Sequence, residues 1–362
     1  MAGNVPRPPA HLPPAPPIDE RRFIAQFLIS ESQRLGRQAA RRMPASASPI
    51  ALDEWSQHLA ARTTDLASAV LAGEAGLFAD QVQWARVAFG ARNMPVQNLA
   101  ASLDALRDEL SHELPQADRP WPLACIAQAR AALDAPAAAA PPMLSSATPH
   151  GQLAAKYLLT VLEGDRRAAG ELLVQAVRAG TLTVTDCYEH VLIPVQRELG
   201  RMWHVGDLSV AEEHFATGTT TMVMSQLYPL LPRSPGNGRT VITASVEGNF
   251  HDVGARMVAD YFEIAGWKSI CLGASVPPED IAQAVDHFGA DLVALSASMP
   301  SHLHAVEATI NAIHAVPHAK PVRVLVGGPA FSGAGEAWKE AGADGHATTA
   351  QEAVDTARKL VA

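Results

Sequence analysis

The segment Glu247-Gly248-Asn249-Phe250-His251-Asp252-Val253-Gly254 joins an imidazole to a neighbouring amide and carboxyl and to two glycines. It follows an apolar run over 240–246 that reads as a strand and precedes a helical pattern starting near Ala255. A histidine at the carboxyl end of a strand in a parallel α/β sheet sits where such sheets bind ligands, and an imidazole there can ligate a metal. Three later stretches are expected to join it at carboxyl strand ends: Ser296-Ala297-Ser298, Gly327-Gly328 with Pro329-Ala330-Phe331, and Gly342-Ala343-Asp344-Gly345-His346. Glycine permits close backbone approach and serine can bond a buried ring nitrogen, so together these stretches outline a slot. A second group lies upstream, where Trp203-His204 is followed by Glu213-His214 and Thr217. An aromatic plane and a carboxylate acceptor suit a nucleoside, and an imidazole beside them suits a metal. By residue type, His204, Glu213 and His214 would also suit zinc, although no fourth ligand is evident.

The elements that must position these groups are set by periodicity. From Thr240 onward, short apolar runs at 240–246, 269–272, 292–296 and 322–326 alternate with amphipathic helices near 255–265, 278–288, 303–315 and 332–341, and a last helix spans 350–360. That alternation predicts a doubly wound parallel sheet over residues 238–362. Four helical segments, 153–162, 168–178, 186–202 and 211–231, are separated by short breaks, the last ending on Ser209 as a helix cap. Four helices joined by short loops predict a four-helix bundle over 150–232. Residues 18–134 are helical in pattern, with apolar spacing in Phe23-Phe27-Leu28, Leu59-Leu66-Val70-Leu71 and Leu99-Leu103-Leu106-Leu110, broken at Pro44, Pro95, Pro115 and Pro120. Residues 1–17 are a proline-rich arm expected to lack a fold, and the Ala/Pro/Ser stretch 135–149 reads as a linker. The fold class expected is therefore multidomain α plus α/β: a helical amino-terminal domain, a bundle cap and a parallel-sheet domain.

Composition sets the outer bounds. The 362 residues are 48% hydrophobic and 18% charged, as in an ordinary globular chain, and a net charge of −9 argues against a broad nucleic-acid footprint. Arg34, Arg37, Arg41 and Arg42 form only a small basic run, so no DNA partner is expected. No basic start leads into an apolar core and no window approaches ~18 uninterrupted apolar residues, so neither secretion nor a membrane span is expected. Cys125, Cys187 and Cys271 are scattered without CxxC spacing, consistent with a reducing cytoplasm.

The histidine loop, the serine strand and the glycine turn together resemble the cobalamin-binding domain, whose signature is Asp-x-His-x-x-Gly with a later serine strand and a Gly-Gly turn. His251, Asp252 and Gly254 match the loop, and Gly327 and Gly328 the turn; Asn249 stands where that family usually has aspartate. The resemblance implies that His251 is the lower cobalt ligand and that the displaced nucleotide tail enters the slot beside Ser296 or Ser298. An amide at 249 can orient the ring but cannot share negative charge with it, which counts against cobalt redox cycling as a methyl carrier. The spacing Trp203 to Glu213-His214 resembles the cap of CarH-type light sensors. That resemblance implies adenosylcobalamin, with Trp203 on the adenosyl group, Glu213 on its ribose hydroxyls and His204 able to take the upper cobalt position after light cleaves the cobalt–carbon bond.

The amino-terminal helices are similar, around Trp84 to Leu114, to globin-like sensor domains, and the domain order looks like that of photocobilins, which implies biliverdin as a second chromophore. Arginines could pair with its propionates, and Trp55, Phe78, Trp84 and Phe89 could wall it; a helical dimerisation domain with no chromophore stands beside that reading. His190, His302, His304 and His314 are expected to be surface or capping residues. The expected function is a non-enzymatic photoreceptor whose output acts through a homo-oligomer, dimer favoured, or a separate effector; the alternative is a corrinoid protein that carries methyl groups for methyltransferases.

Overall fold

The computed structural model describes residues 12–44, 52–135 and 140–362. Most of the proline-rich arm and residues 136–139 of the expected linker lie outside the described residues. Among the described residues, six helices come first: α1 (Ile18–Ser30), α2 (Ser32–Arg41), α3 (Leu52–Ala72), α4 (Ala75–Ala91), α5 (Val96–Glu113) and α6 (Pro120–Ala132). Proline sets two of these starts, Pro95 as the residue before α5 and Pro120 at the first turn of α6, where a missing N–H costs nothing. The repeated leucines form the expected core, with Leu59, Leu66, Leu103, Leu106 and Leu110 fully buried. Phe23 departs from expectation at 65% exposed, because α1 turns Ile24, Ala25, Leu28 and the stem of Arg21 inward instead.

The bundle comprises α7 (Pro149–Leu162), α8 (Arg166–Arg178), α9 (Val184–Cys187), α10 (Ile193–His204) and α11 (Val210–Leu227). The expected single helix over 186–202 is divided by one π turn, Tyr188–Leu192. Pro194, which lacks an N–H for the carbonyl one turn back, sits in the first turn of α10 and accounts for the widening. Ser209 closes a capping box with Glu212 at the start of α11, as its position in the sequence predicts.

The third part contains β1 (Thr240–Val246), α12 (Val253–Ile264), β2 (Lys268–Val276), α13 (Pro278–Phe288), β3 (Leu292–Ser296), α14 (Leu303–Ala315), β4 (Arg323–Gly327), α15 (Ala337–Glu340), β5 (Gly345–Ala347) and α16 (Ala350–Leu360). The strands form one parallel sheet in the order β2-β1-β3-β4-β5. β2 is longer than its expected 269–272 because register irregularities on either side of Ala244 interrupt the alternation that marks a strand in sequence. α15 is one short turn where a helix over 332–341 was expected, since Gly333 and Gly335 both take positive φ ahead of it.

Both faces of the sheet are covered, and by different partners. α12 and α16 share a core with the bundle, while α13 and α14 share one with the amino-terminal helices. Ion pairs Arg21–Glu340 (2.8 Å) and Arg22–Glu307 (2.5 Å) fasten α1 to the sheet domain. The bundle is fastened by the π turn, whose wider pitch directs two consecutive residues onto α12: Tyr188 donates to Asp260 at 2.6 Å, and Glu189 accepts from Tyr261.

Burial pushes the Asp260 carboxyl up to about 6, only partly offset by the bond from Tyr188. Its folded value lies above its unfolded one, so this group contributes most to stability below pH 4 and that contribution is lost as pH rises towards 6. Asp260→Asn keeps an acceptor for Tyr188 and removes the ionisation. Chemical unfolding is therefore expected to find the variant about 1–2 kcal/mol more stable than the parent at pH 7.5 and no more stable at pH 4. An equal difference at both values would show that ionisation is not what the site disfavours.

Candidate functional site

The strand order places the site. The connections from β1 and β3 run to opposite faces, so a crevice opens beyond their carboxyl ends, the usual ligand position in such sheets. The loop 247–252 leaves β1 there, and Ser296 ends β3 directly beside Ser245 of β1.

Asn249 is the anchor of this loop, fully buried at 0% exposure. Its amide Nδ2 donates to the Ser296 carbonyl at 3.0 Å, which leaves Oδ1 facing the His251 backbone N–H (3.2 Å) and ring Nδ1 (3.3 Å). An amide oxygen only accepts, so Nδ1 carries the proton and Nε2 keeps its lone pair. Ser245 Oγ steadies the same residue by donating to the His251 carbonyl at 3.2 Å. The ring is thus exposed, oriented and in the tautomer a metal requires. Ser245 is invisible to sequence reasoning because nothing local distinguishes it within a buried strand. Ser275, at φ 49°, is a second omission: its hydroxyl accepts from Gly248 N–H at 3.1 Å and closes the loop against β2.

Asp252 precedes α12 and pairs with Arg256 at 2.7 Å. Gly254, in the first turn of α12, has open space where a Cβ would stand. Phe250 is 77% exposed beside His251, an apolar ring left open by the described residues. Gly327 and Gly328 pack first against protein, since a Cβ at 327 would meet the Ala347 carbonyl at 2.7 Å and one at 328 the Ala297 carbonyl at 2.3 Å. Ser296 and Ser298 are half-buried at the crevice, and Ser296 is engaged through its backbone.

One expected wall of the slot is corrected. Residues 342–344 enter β5 rather than leave it: Asp344 bonds the Val324 N–H at 2.8 Å and pairs with Arg323, both at the start of β4. This turn is at the amino end of the sheet, on the side away from His251, because β5 is only three residues long and begins after it.

His302 and His304 lie closer to the site than surface positions would. His302 Nδ1 accepts from Met299 N–H at 3.2 Å, and burial together with the neighbouring His251 and His304 holds its ring down to about 4. His190 stacks on His150 at the bundle surface, and His314 is exposed.

Of the upper group, α11 carries Glu213 and His214 in its first turns; Glu213 accepts from Thr217 at 2.7 Å and from His214 Nδ1 at 3.0 Å. Trp203 and His204 end α10 and are held by the amino-terminal helices instead. His204 stacks on Trp84 with centroids 4.4 Å apart and planes 6° from parallel, and its Nε2 bonds the Trp84 carbonyl at 2.8 Å. The zinc alternative is set aside: among the described residues no three potential ligands gather, and His204 is turned to Trp84. Of the aromatics expected to wall a bilin, Trp55 and Phe89 lie together with centroids 6.2 Å apart and, like Phe78, are buried in the helical core, whereas Trp84 faces the bundle.

An oriented, exposed imidazole, with no set of three potential ligands gathered among the described residues, fits a metal that arrives already held by a macrocycle. Fold and site thus define a corrinoid-binding protein. Residues 239–355 match the B12 binding domain, and residues 153–228 match a second model of the same description, which takes in the bundle. The chain is 31% identical over 195 residues to "Dimethylamine corrinoid protein 3" of Methanosarcina acetivorans, covering 53% of this chain and 90% of that one. It is 29% identical over 187 residues to "HTH-type transcriptional repressor CarH" of Myxococcus xanthus, covering 51% of this chain and 60% of that one. The structure of the Methanosarcina barkeri monomethylamine corrinoid protein shares the fold, with a TM-score of 0.51 at 21% identity over 58% of this chain and 98% of that one. The chain belongs to the B12-binding corrinoid protein family. Among the described residues, no helix is long and apolar enough to cross a membrane.

Gly254→Ala separates folding from binding at this site. A methyl there meets nothing among the described residues and favours the helix, so the corrinoid-free variant is expected to be up to about 1 kcal/mol more stable than the parent in thermal unfolding. If corrinoid occupies that space, spectroscopic titration will show the same variant taking it up less tightly. Unchanged uptake would place the macrocycle elsewhere.

Proposed function

We propose that the protein holds adenosylcobalamin between bundle and sheet domain and acts as a light sensor, not an enzyme. His251 would hold cobalt from below through Nε2, Asn249 and Ser245 would fix its ring, and Ser296 or Ser298 would contact the nucleotide tail. Trp203 would cover the upper ligand, Glu213 would bind its ribose hydroxyls with Thr217 and His214 as neighbours, and His204 would take the upper position once that ligand leaves. The bound cofactor supplies a cobalt–carbon bond that light can break.

The observation that carries this reading is that the end of α10, with Trp203 and His204, is covered by a domain of the same chain. A methyl carrier must offer its upper face to other enzymes, whereas a sensor must couple that face to the rest of itself. The signal would pass through a changed dimer contact or a separate effector in the cytoplasm. Biliverdin in the globin-like amino-terminal helices is the further part of the proposal, and a far-red band in the dark spectrum of protein expressed with it is its check. Illuminating the adenosylcobalamin complex with green light tests the main claim: both spectrum and molecular mass are expected to change, and constancy of both would refute it.

The second reading is a corrinoid carrier serving methyltransferases. It is favoured by relatives named as dimethylamine corrinoid proteins, which the chain matches over more of their length than it does the CarH repressor. Rapid methylation of the reduced corrinoid by a methylamine-type methyltransferase would decide for it.

A further inference from the structure

We infer that Trp84 of the amino-terminal domain is a positioning residue that latches His204 away from the upper face, so that ligation through His204 Nε2 and release of α4 are a single event. The inference rests on the proposal that His204 can take the upper cobalt position, and it adds the element that reads that change.

Four contacts meet at this point. The Trp84 indole covers one face of the His204 ring at 4.4 Å, and the Trp84 carbonyl accepts from Nε2 at 2.8 Å. The same indole lies 5.9 Å from the Trp203 ring, and Arg92 at the end of α4 sits 5.4 Å over that ring as a cation–π partner. Behind them the chain turns at Gly206 with φ 81°, close enough to α4 that a Cβ there would meet Ala91 Cβ at 3.2 Å. Both side chains at the end of α10 are therefore gripped by one helix of another domain.

The bond to the carbonyl decides the chemistry. A carbonyl only accepts, so Nε2 must carry the proton in this arrangement, and a protonated ring nitrogen has no lone pair for a metal. Nε2 can serve either Trp84 or cobalt, not both. Moving His204 also breaks the stack, which leaves Trp203 and Arg92 as the remaining grip between α4 and α10. Because α4 belongs to the helical core that is anchored on α14 and α15 through Arg22–Glu307 and Arg21–Glu340, its release changes how the amino-terminal domain sits against the bundle. Linkage requires the converse: weakening the latch must favour ligation by the same factor.

The full chain loaded with hydroxocobalamin, whose upper position is open to a protein ligand, provides the test. Absorption reports nitrogen ligation above cobalt, and amide hydrogen exchange over residues 84–92 reports the latch. Ligation is expected to appear together with at least a tenfold loss of exchange protection in that segment, and Trp84→Ala is expected to speed or strengthen ligation at least fivefold. His204→Ala should show no ligation. In corrinoid-free protein, Trp84→Ala and His204→Ala should each deprotect the end of α10, and the double variant should deprotect it by less than the sum of the two, since the ring stack is common to both. Ligation in the parent with protection unchanged, or equal ligation in parent and Trp84→Ala, overturns the latch while leaving His204 as the ligand. Ligation in neither overturns the latch together with the ligand role assigned to His204.

Discussion

His251→Ala is expected to lower corrinoid affinity roughly a hundredfold or more and to abolish the absorption signature of a nitrogen ligand below cobalt, with little effect on the corrinoid-free fold. The size reflects the site's economy. Where a metal has several protein ligands, loss of a supporting hydrogen bond alone costs about 10–100-fold in affinity; here, among the described residues, no three potential ligands gather to share the load. The fold should tolerate the change because the ring is exposed and its strongest local restraint, Asn249, remains tied to Ser296. Titration with cobalamin by absorbance, alongside thermal unfolding of the corrinoid-free protein, separates the two quantities. Uptake with unaltered colour would remove the basis for every role assigned above to the bundle and the amino-terminal domain.

Gly328→Ala is expected to act in the opposite way, by destroying the fold before the site. Gly328 has φ 103° and ψ 168°, a region open in practice only to glycine and costing other residues about 1–3 kcal/mol. A Cβ would also stand 2.3 Å from the Ala297 carbonyl oxygen, a backbone atom that cannot move aside without breaking the bonds Ala297 makes to Gly327 and Ala330. Strain and overlap together should cost more than about 3 kcal/mol, a large part of the total stability of an ordinary domain. Denaturant unfolding is expected to show a large loss or no cooperative transition. A variant within about 1 kcal/mol of the parent would mean that the β3 and β4 ends can separate, and the Gly-Gly turn would then be open to a ligand rather than packed on its neighbours.

The resemblance to cobalamin-binding domains points to the Gly-Gly turn through its spacing, yet what the glycines touch is a different matter. In the fold they serve β3 and β5 first, and any role toward a nucleotide tail is additional. Asn249 shows a similar division. Its place in the motif suggests an orienting residue for His251, and its Oδ1 lies 3.3 Å from Nδ1, but its tie to Ser296 joins residues 47 positions apart and no local pattern encodes it.

Residues close in sequence determine the features that arise from period and punctuation: short apolar runs alternating with helices, a histidine loop opening straight from the first of them, and helix breaks at glycine, proline and serine. These are legible because a strand's alternation, a cap's hydrogen bond and a proline's missing donor act within a few residues. Only tertiary structure decided that the sheet is ordered β2-β1-β3-β4-β5, that 342–344 lies away from the site, and that Trp84 meets His204 across 120 residues. Contacts of that span depend on which faces are left to be buried once the elements exist, and the chain between them carries no record of that choice.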